Sequence, residues 1–508
     1  MLPLLLPPAA LVVAALLLVW NVALAGRLAR IDAAPRNWAT LTGLLGLLLI
    51  PGVLIRVVGS SLVLGRTIAS LAWFWPVLAT LVALQAGLTL AQRLGVRAIV
   101  LPIALHDTLV AAAAWIEYAS GTGTPLPGWL HALPAAIAGA VGYVAGPTAL
   151  VSPFAVVPPL LAPAFRARWA INATVRGAVG LGALVAVLAV ASELPQAIRA
   201  VRSFDAYTLV PLRERPEDRP LAVGMRLLGT VDGAPHPQAL AWDLSLADSA
   251  DVAAVGVTVA PGASGRALDS LARVLDDLRA DSVAIVATIG WDLDEGLRAR
   301  FAPTAWERER VAAVEQVVRR LRPDVLVPVA QPYGAGARTV GRLTPARWQG
   351  LLAECARTAH SLRPATRVLH EASSYDARDS VLAAWAATPA SGLDGVGYAL
   401  APGFRGGASL EARLQAVDRW RRARPRAVRE WVTLVAANPW VHGEGAQERA
   451  VWGVLAWASA RPSLDGVIVG DAADYDTRRG LRGPGGRLRP ATASLKRAIR
   501  ALRRVSAP

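Results

Sequence analysis

Charge is almost missing from the first 200 residues. Of 53 Lys and Arg residues only 11, all Arg, fall there, and of 37 acidic residues only 4. A water-soluble domain of that size needs a charged exterior, whereas a bilayer penalises one, so residues 1–200 read as a membrane domain. The remaining charges lie in residues 201–508, whose composition is that of an ordinary globular domain. This division excludes a purely soluble enzyme and a disordered chain. A single cysteine, Cys355, excludes a disulfide scaffold.

A spanning helix takes about 20 mostly apolar residues, because lipid offers the backbone no hydrogen-bond partner. Six stretches meet that need: 6–26, 38–58, 68–91, 98–118, 130–163 and 174–197. The fifth is over-long and holds Pro134, Pro147, Pro153, Pro158, Pro159 and Pro163. It reads as one span and a proline-broken interfacial segment, or as two short spans. Arginines cluster after span one (Arg27, Arg30, Arg36), span three (Arg93, Arg97) and span five (Arg166, Arg168, Arg176). The positive-inside rule makes those connectors cytoplasmic. The N-terminus and everything after residue 200 then lie outside a bacterial-type inner membrane, and a seventh span would reverse this. Ala23-Leu24-Ala25 looks like a cleavage site, but no basic leader precedes it, so the first span reads as retained.

Inside lipid, His106 and Asp107 of span four are costly and therefore candidate functional groups, as is Arg56 near the end of span two. They serve either a proton or substrate path or, more simply, hydrogen bonds between helices and snorkelling to headgroups. No internal repeat or broken-helix symmetry supports a transporter.

The formal net charge of +16 suggests nucleic acid only at first sight. The basic residues are nearly all Arg, dispersed and interleaved with acids, and no aromatic–basic platform accompanies them, so no nucleic-acid partner is expected.

After a polar linker within 201–220, apolar runs alternate with amphipathic helical segments through 221–508. The strand-like runs are 221–228, 252–260, 282–290, 324–331, 366–372, 394–401, 427–437 and 465–471. They are apolar throughout rather than alternating, as suits parallel strands covered on both faces. Helical periodicity falls at 265–280, 305–322, 344–362, 408–424 and 444–461. Eight such units predict a (β/α)8 barrel, whose chemistry sits at the C-terminal ends of the strands. Those ends hold Thr230 and Asp232, Pro261 and Gly262, Trp291 and Asp292, Gln331-Pro332-Tyr333, Glu371, Pro402 and Phe404, Asn438-Pro439-Trp440, and Asp471, Asp474 and Tyr475. Aromatic rings stack on sugar faces while amides and carboxylates bind hydroxyls. Trp291, Gln331, Tyr333, Trp440, Asp474 and Tyr475 are therefore candidate sugar-binding residues, the alternative being that the aromatics seal the mouth. No His/Cys cluster has metal-ligand spacing, and no metal or cofactor is expected.

Over roughly 220–495 the sequence resembles the barrel glycoside hydrolases that carry Asn-Glu-Pro after strand four and Glu after strand seven. The resemblance rests on Ala330-Gln331-Pro332-Tyr333-Gly334 and on the run Asp474-Tyr475-Asp476, Gly480-Leu481, Gly486-Arg487-Leu488-Arg489-Pro490-Ala491. It rests also on the segment holding Glu444, Gln447 and Trp452. It implies retaining hydrolysis by two carboxyl groups about 5–5.5 Å apart. At the acid/base place stands Gln331, which cannot donate and recover a proton, preceded by Ala330. At the nucleophile place stands Glu430 if the seventh strand ends early. If the strand runs on, that place is Leu434 and Glu430 lies deep in the barrel. Glu371 and Asp471 are substitute catalytic candidates.

Three functions follow. The first is a membrane-anchored, extracytoplasmic, hydrolase-like protein that binds or remodels an envelope or exported polysaccharide. The second is a catalytically inactive barrel that holds a glycan or another membrane protein for an assembly or export system. The third is a transporter or sensor with a periplasmic receptor domain.

Overall fold

The computed structural model describes residues 62–63, 66–67, 72–91, 97–145, 169–207, 210–216, 218–230, 237–292, 295–401, 410–424, 428–475 and 478–504. The expected spans 6–26 and 38–58, and Arg56, lie outside these residues.

Among the described residues four α-helices precede the barrel: α1 (Phe74–Ala91), α2 (Arg97–Gly121), α3 (Ala132–Ala145) and α4 (Trp169–Ser203). Among the described residues two helices are long and apolar enough to cross a bilayer, Ala98–Gly121 and Gly177–Tyr207. The apolar part of α1, Phe74–Leu88, is shorter. Helix α3 has 14 residues, fewer than a span takes, so among the described residues two of the six expected spans are helices of spanning length. Small residues let the helices approach, with Ala79 and Ala86 of α1, Ala113 and Ala114 of α2, and Ala135 and Ala136 of α3 all buried. Outward, α4 presents Leu181, Leu184, Val185 and Leu188. Their spacing makes one apolar stripe, which water would disfavour and lipid accept.

The C-terminal part is a closed parallel barrel. Its strands are β1 (Ala222–Thr230), β2 (Ala254–Val259), β3 (Ala284–Ile289), β4 (Val325–Val327), β5 (Arg367–Ala372), β6 (Gly395–Leu400), β7 (Arg429–Val435) and β8 (Leu464–Asp471), and β8 pairs with β1. The alternating helices are α5 (Pro237–Ala250), α6 (Gly265–Ala280), α7 (Glu295–Phe301) with α8 (Pro303–Leu321), α9 (Ala335–Thr339) with α10 (Pro345–Leu362), α11 (Ala377–Ala386), α12 (Leu410–Ala423), α13 (Pro439–His442) with α14 (Glu444–Ser459), and α15 (Pro490–Arg504). Turn aspartates fix neighbouring strands. Asp324 accepts from the Ile285 N–H at 2.9 Å, and Asp394 from the Val368 N–H at 2.7 Å.

Side-chain alternation fills the interior in layers. Ala222, Ala254 and Ala284 line the bottom, where Asp465 accepts from Arg367 and Arg429 at 2.6 and 2.7 Å. The Trp431 indole occupies the middle beside Leu369, Val327 and Ile468. It fits because its neighbour is Gly466, where a Cβ would come within 2.3 Å of the ring. One pleat higher, the strands present Arg226, Thr258, Thr288, Glu371 and Thr433. A bulge between Val469 and Asp471 turns Asp471 toward Arg226.

Candidate functional site

The upper layer of the barrel is polar where β1, β2, β3, β5, β7 and β8 bring Arg226, Thr258, Thr288, Glu371, Thr433 and Asp471 to it. Glu371 on β5 is 1% exposed. Its Oε1 accepts from the Thr433 hydroxyl on β7, and its Oε2 accepts from the Gln331 N–H at 2.9 Å. Burial pushes its carboxyl above the ordinary range. The Thr433 hydroxyl, the Arg226 charge, the Gln331 amide and His370 pull the other way without prevailing. Arg226 sits between the two acids of the layer. Its Nε lies 4.0 Å from Asp471, and its Nη2 donates to the Thr433 carbonyl at 3.4 Å.

Gln331 follows β4 in a left-handed conformation, φ +47°. A non-glycine residue accepts that geometry only when its surroundings impose it. Here its carbonyl accepts from the N–H groups of Gly334 and Gly336, both at 2.9 Å, and its N–H is committed to Glu371. A Cβ on Gly334 would meet the Gln331 Oε1 at 3.0 Å and the Ser373 Oγ at 2.7 Å, so side chain, turn and Ser373 form one wall. The hydroxyls of Ser373 and Tyr333 are buried without hydrogen-bond partners.

Trp291 stands half-buried beside this wall. Its Nε1–H donates to the Ala330 carbonyl at 2.7 Å, and the Arg310 guanidinium backs its ring at 4.1 Å. Arg310 is itself fixed by Glu295 at 2.7 and 2.8 Å, a buried fork that holds the indole in place. Within β5, next to inward-facing Glu371, His370 faces outward, its Nε2 3.6 Å from Asp379. Asp379 also accepts from the N–H groups of Ser373, Ser374 and Tyr375 at 2.7, 2.9 and 3.0 Å. Burial pushes its carboxyl up, but His370, and after it the Tyr375 and Ser373 amides, hold it below the usual range. That clasp shapes the loop after β5.

Several expectations need correcting. Glu430 is the second residue of β7, at the end opposite the mouth. Because Trp431 points inward, Glu430 points outward rather than lying deep in the barrel. There it receives Tyr398 (2.6 Å), Arg424 (2.7 Å), Arg421 (2.8 Å) and Ser463 (2.6 Å), which engages both its oxygens with protein groups at the end opposite the mouth. Since β7 continues to Val435, the place of the resembled family's nucleophile falls at buried Leu434.

Trp440 is no stacking platform. It is fully buried, donates from Nε1 to Asp474 at 2.7 Å, and lies under the Arg478 guanidinium at 4.4 Å. Its other neighbour is Gly121, the end of α2, where a Cβ would fall 2.0 Å from the indole. Asp474 likewise binds protein. It accepts from Arg489 at 2.7 and 2.6 Å and from the Gly480 N–H at 2.8 Å. Arg489 also donates to the Gly121 carbonyl at 3.2 Å, and Arg478 pairs with Glu117 of α2. Tyr475 donates to Asp243 at 2.6 Å. Burial lifts Asp243 to about 6, against the pull of that hydroxyl and of the Leu228 N–H. The run after β8 is therefore a junction that ties the barrel to the helices. Gln447 of α14 supports it by donating to the carbonyls of Arg479 and Gly480 at 3.0 and 3.1 Å.

His106 and Asp107 are buried in the helical part, and both are engaged in polar or electrostatic contacts. Asp232, Pro402 and Phe404 of the expected rim lie outside the described residues. Among the described residues no three His, Cys, Asp or Glu side chains gather to hold a metal ion. Sequence reasoning missed Arg226, Thr433 and Ser373; the eight-strand register, once drawn, would have placed the first two at the level of Glu371.

No family model matches the chain, and no curated protein matches it. Solved glycoside hydrolase barrels are similar in fold. A GH5-4 broad-specificity endoglucanase from Clostridium acetobutylicum shares 13% identity, covering 55% of this chain and 96% of its own, at a TM-score of 0.41. A psychrophilic family 10 endo-β-1,4-xylanase shares 9%, covering 55% and 96%, at 0.38. Endo-glycoceramidase II from a Rhodococcus species, in complex with a cellobiose-like imidazole, shares 11%, covering 56% and 81%, at 0.39. The likeness is one of architecture, and the catalytic carboxylates are a matter for this chain's own residues.

Proposed function

We propose that this protein is a membrane-anchored, extracytoplasmic barrel that holds a glycan chain at its mouth and does not hydrolyse it by the usual two-carboxylate route. One observation carries this reading. The strand-four and strand-seven places are Gln331 and Leu434, and the nearest carboxylate, Glu371, has both oxygens engaged inside the barrel. Sugar binding is supported by the Trp291 ring at the mouth beside the Gln331 wall, a pairing of apolar face and amide that suits a pyranose. Anchoring is supported by the apolar helices and the lipid-type stripe on α4. The six-span layout, the boundaries 1–200, 201–220 and 221–508, and an inner-membrane setting with the barrel outside belong to this proposal.

The test is calorimetric titration of the full chain, in nanodiscs of neutral lipid, with a panel of neutral oligosaccharides, beside reporter-glycoside turnover. Binding that Trp291→Ala abolishes, with turnover no faster than in Glu371→Gln, is the expected result. Absence of binding across the panel would refute it.

A second reading has a specific support. Glu371 is pushed toward its protonated form while Asp471 lies beside Arg226, so one acid and one base face the same interior layer. Turnover that falls by orders of magnitude in both Glu371→Gln and Asp471→Asn would favour this substitute pair.

A further inference from the structure

The barrel's exposed large apolar side chains are not scattered. From β1 onward, among the described residues, they are Trp242, Leu297, Phe301, Val381 and Leu488. All lie on segments that leave the C-terminal ends of strands, and none lies on a turn that enters a strand. They therefore belong to the mouth half of the barrel. Phe301 is the most exposed of them, at 77%. It shares α7 with Leu297, one turn earlier, and with exposed Arg300, whose guanidinium lies 5.8 Å from its ring. The other face of α7 is clamped. Glu295 accepts from the Asp292 N–H at 2.9 Å, the Trp306 indole at 3.0 Å and Arg310 at 2.7 Å. A rigid helix thus displays two apolar side chains and a cation, the combination of an interfacial membrane segment.

The strand order says where α7 stands. In the closed ring β3 lies opposite β7, so α7, which follows β3, faces α13 across the mouth. At α13 the helices dock, through Gly121 against Trp440 and through Val441 within their apolar cluster. Beside that dock the helical part exposes three tryptophans. Trp73 follows Ala72, which packs on Trp440; Trp115 precedes Gly121 by less than two turns; and Trp129 precedes His131, which borders Gly443. Further from the barrel along α2 the exposed residues are aliphatic, Leu101 and Leu105. Aliphatic residues giving way to tryptophan mark the passage from acyl chains to headgroups. The dock therefore lies at a bilayer surface, and α7 lies across the mouth from it. We propose that α7 is a second membrane contact, Leu297 and Phe301 entering the acyl boundary of that leaflet and Arg300 meeting its headgroups, so that the barrel is held mouth-down on the bilayer from two opposite sides. Arg310 joins Glu295 of α7 to the Trp291 ring, which places the sugar platform directly behind this contact. The proposal rests on the membrane-anchored reading and adds where the mouth points.

The test places a bimane label on Ala302→Cys, exposed beside Phe301, in the full chain in phosphatidylcholine nanodiscs; Cys355 is buried and stays unlabelled. Doxyl-labelled phosphatidylcholine should quench it, more strongly with the doxyl near the headgroup than at the chain end. The same label on Leu184→Cys of the α4 stripe should be quenched, and on Asp277→Cys, near the last turn of α6, it should not. Leu297→Asp together with Phe301→Asp should cut the quenching at Ala302→Cys several-fold with the melting temperature unchanged, because both side chains are exposed. Quenching at Leu184→Cys but not at Ala302→Cys would overturn the contact and leave the membrane anchor standing. No quenching at Leu184→Cys would overturn both. Quenching at Ala302→Cys that survives the double substitution, or that Asp277→Cys matches, would overturn the contact as well. A label at Ala302→Cys shielded from water yet unquenched by lipid would assign α7 to a protein partner or a second copy of this chain, and that too overturns the proposal.

Discussion

Burial raises the Glu371 carboxyl, and that has a sign for stability. A group whose folded pKa exceeds its unfolded one contributes fully below the unfolded value, and the contribution is lost as pH climbs through the folded value. Glu371 therefore favours the fold in acid and costs stability above the ordinary carboxylate range. Glu371→Gln keeps the geometry, since its carbonyl oxygen can still accept from the Gln331 N–H while its amide donates to the Thr433 hydroxyl. Thermal melts should show this variant at least as stable as wild type at pH 8, with the difference shrinking toward pH 5. Glu371→Ala orphans both partners and should cost about 1–3 kcal/mol in the same assay. The sequence marked Glu371 and Gln331 because they end apolar runs. It was silent on their mutual hydrogen bond and on Arg226, since those contacts depend on which pleat each strand turns inward.

At the scale of elements, the β8–α15 segment, α13 and the end of α2 form one joint. Trp440 fills it, Asp474 neutralises Arg489, and Gly121 leaves room for the indole. Trp440→Ala should cost about 3–5 kcal/mol. Asp474→Asn should cost a similar amount, because the fully buried Arg489 would lose its bidentate carboxylate and keep only Glu444, at 3.2 Å from its Nε, as a counter-charge. Gly121→Val should separate helix from barrel, read as protease sensitivity near residues 122–127. Sequence position placed Trp440 and Asp474 correctly at strand ends, yet Gly121 against Trp440 and Glu117 against Arg478 lie more than 300 residues earlier. No local pattern carries that distance, so an internal seal resembled a sugar platform.

For the whole molecule, the eight barrel strands were legible as apolar runs of strand length separated by helical periodicity, and β1 to β8 fall within a few residues of them. The helical part was harder, because hydropathy reports a preference for lipid but not how much of a stretch forms helix; 130–163 contains only the 14 residues of α3 within its described portion. The joint has a topological corollary. The connector between α2 and α3 meets the barrel, so both should lie on one side of the membrane. In intact cells or oriented vesicles an impermeant maleimide should label Thr124→Cys and Asp277→Cys from the same side, with Cys355 silent because it is buried. Labelling from opposite sides would contradict the joint.

The same joint sets the terms on which the barrel can be handled in isolation. Severing the chain near residue 205 would strip the covering from Val441 and the Trp440 indole and leave Arg478 without its carboxylate. The excised piece would carry a raw, greasy scar next to its own opening, and it should self-associate unless that scar is redesigned with polar residues.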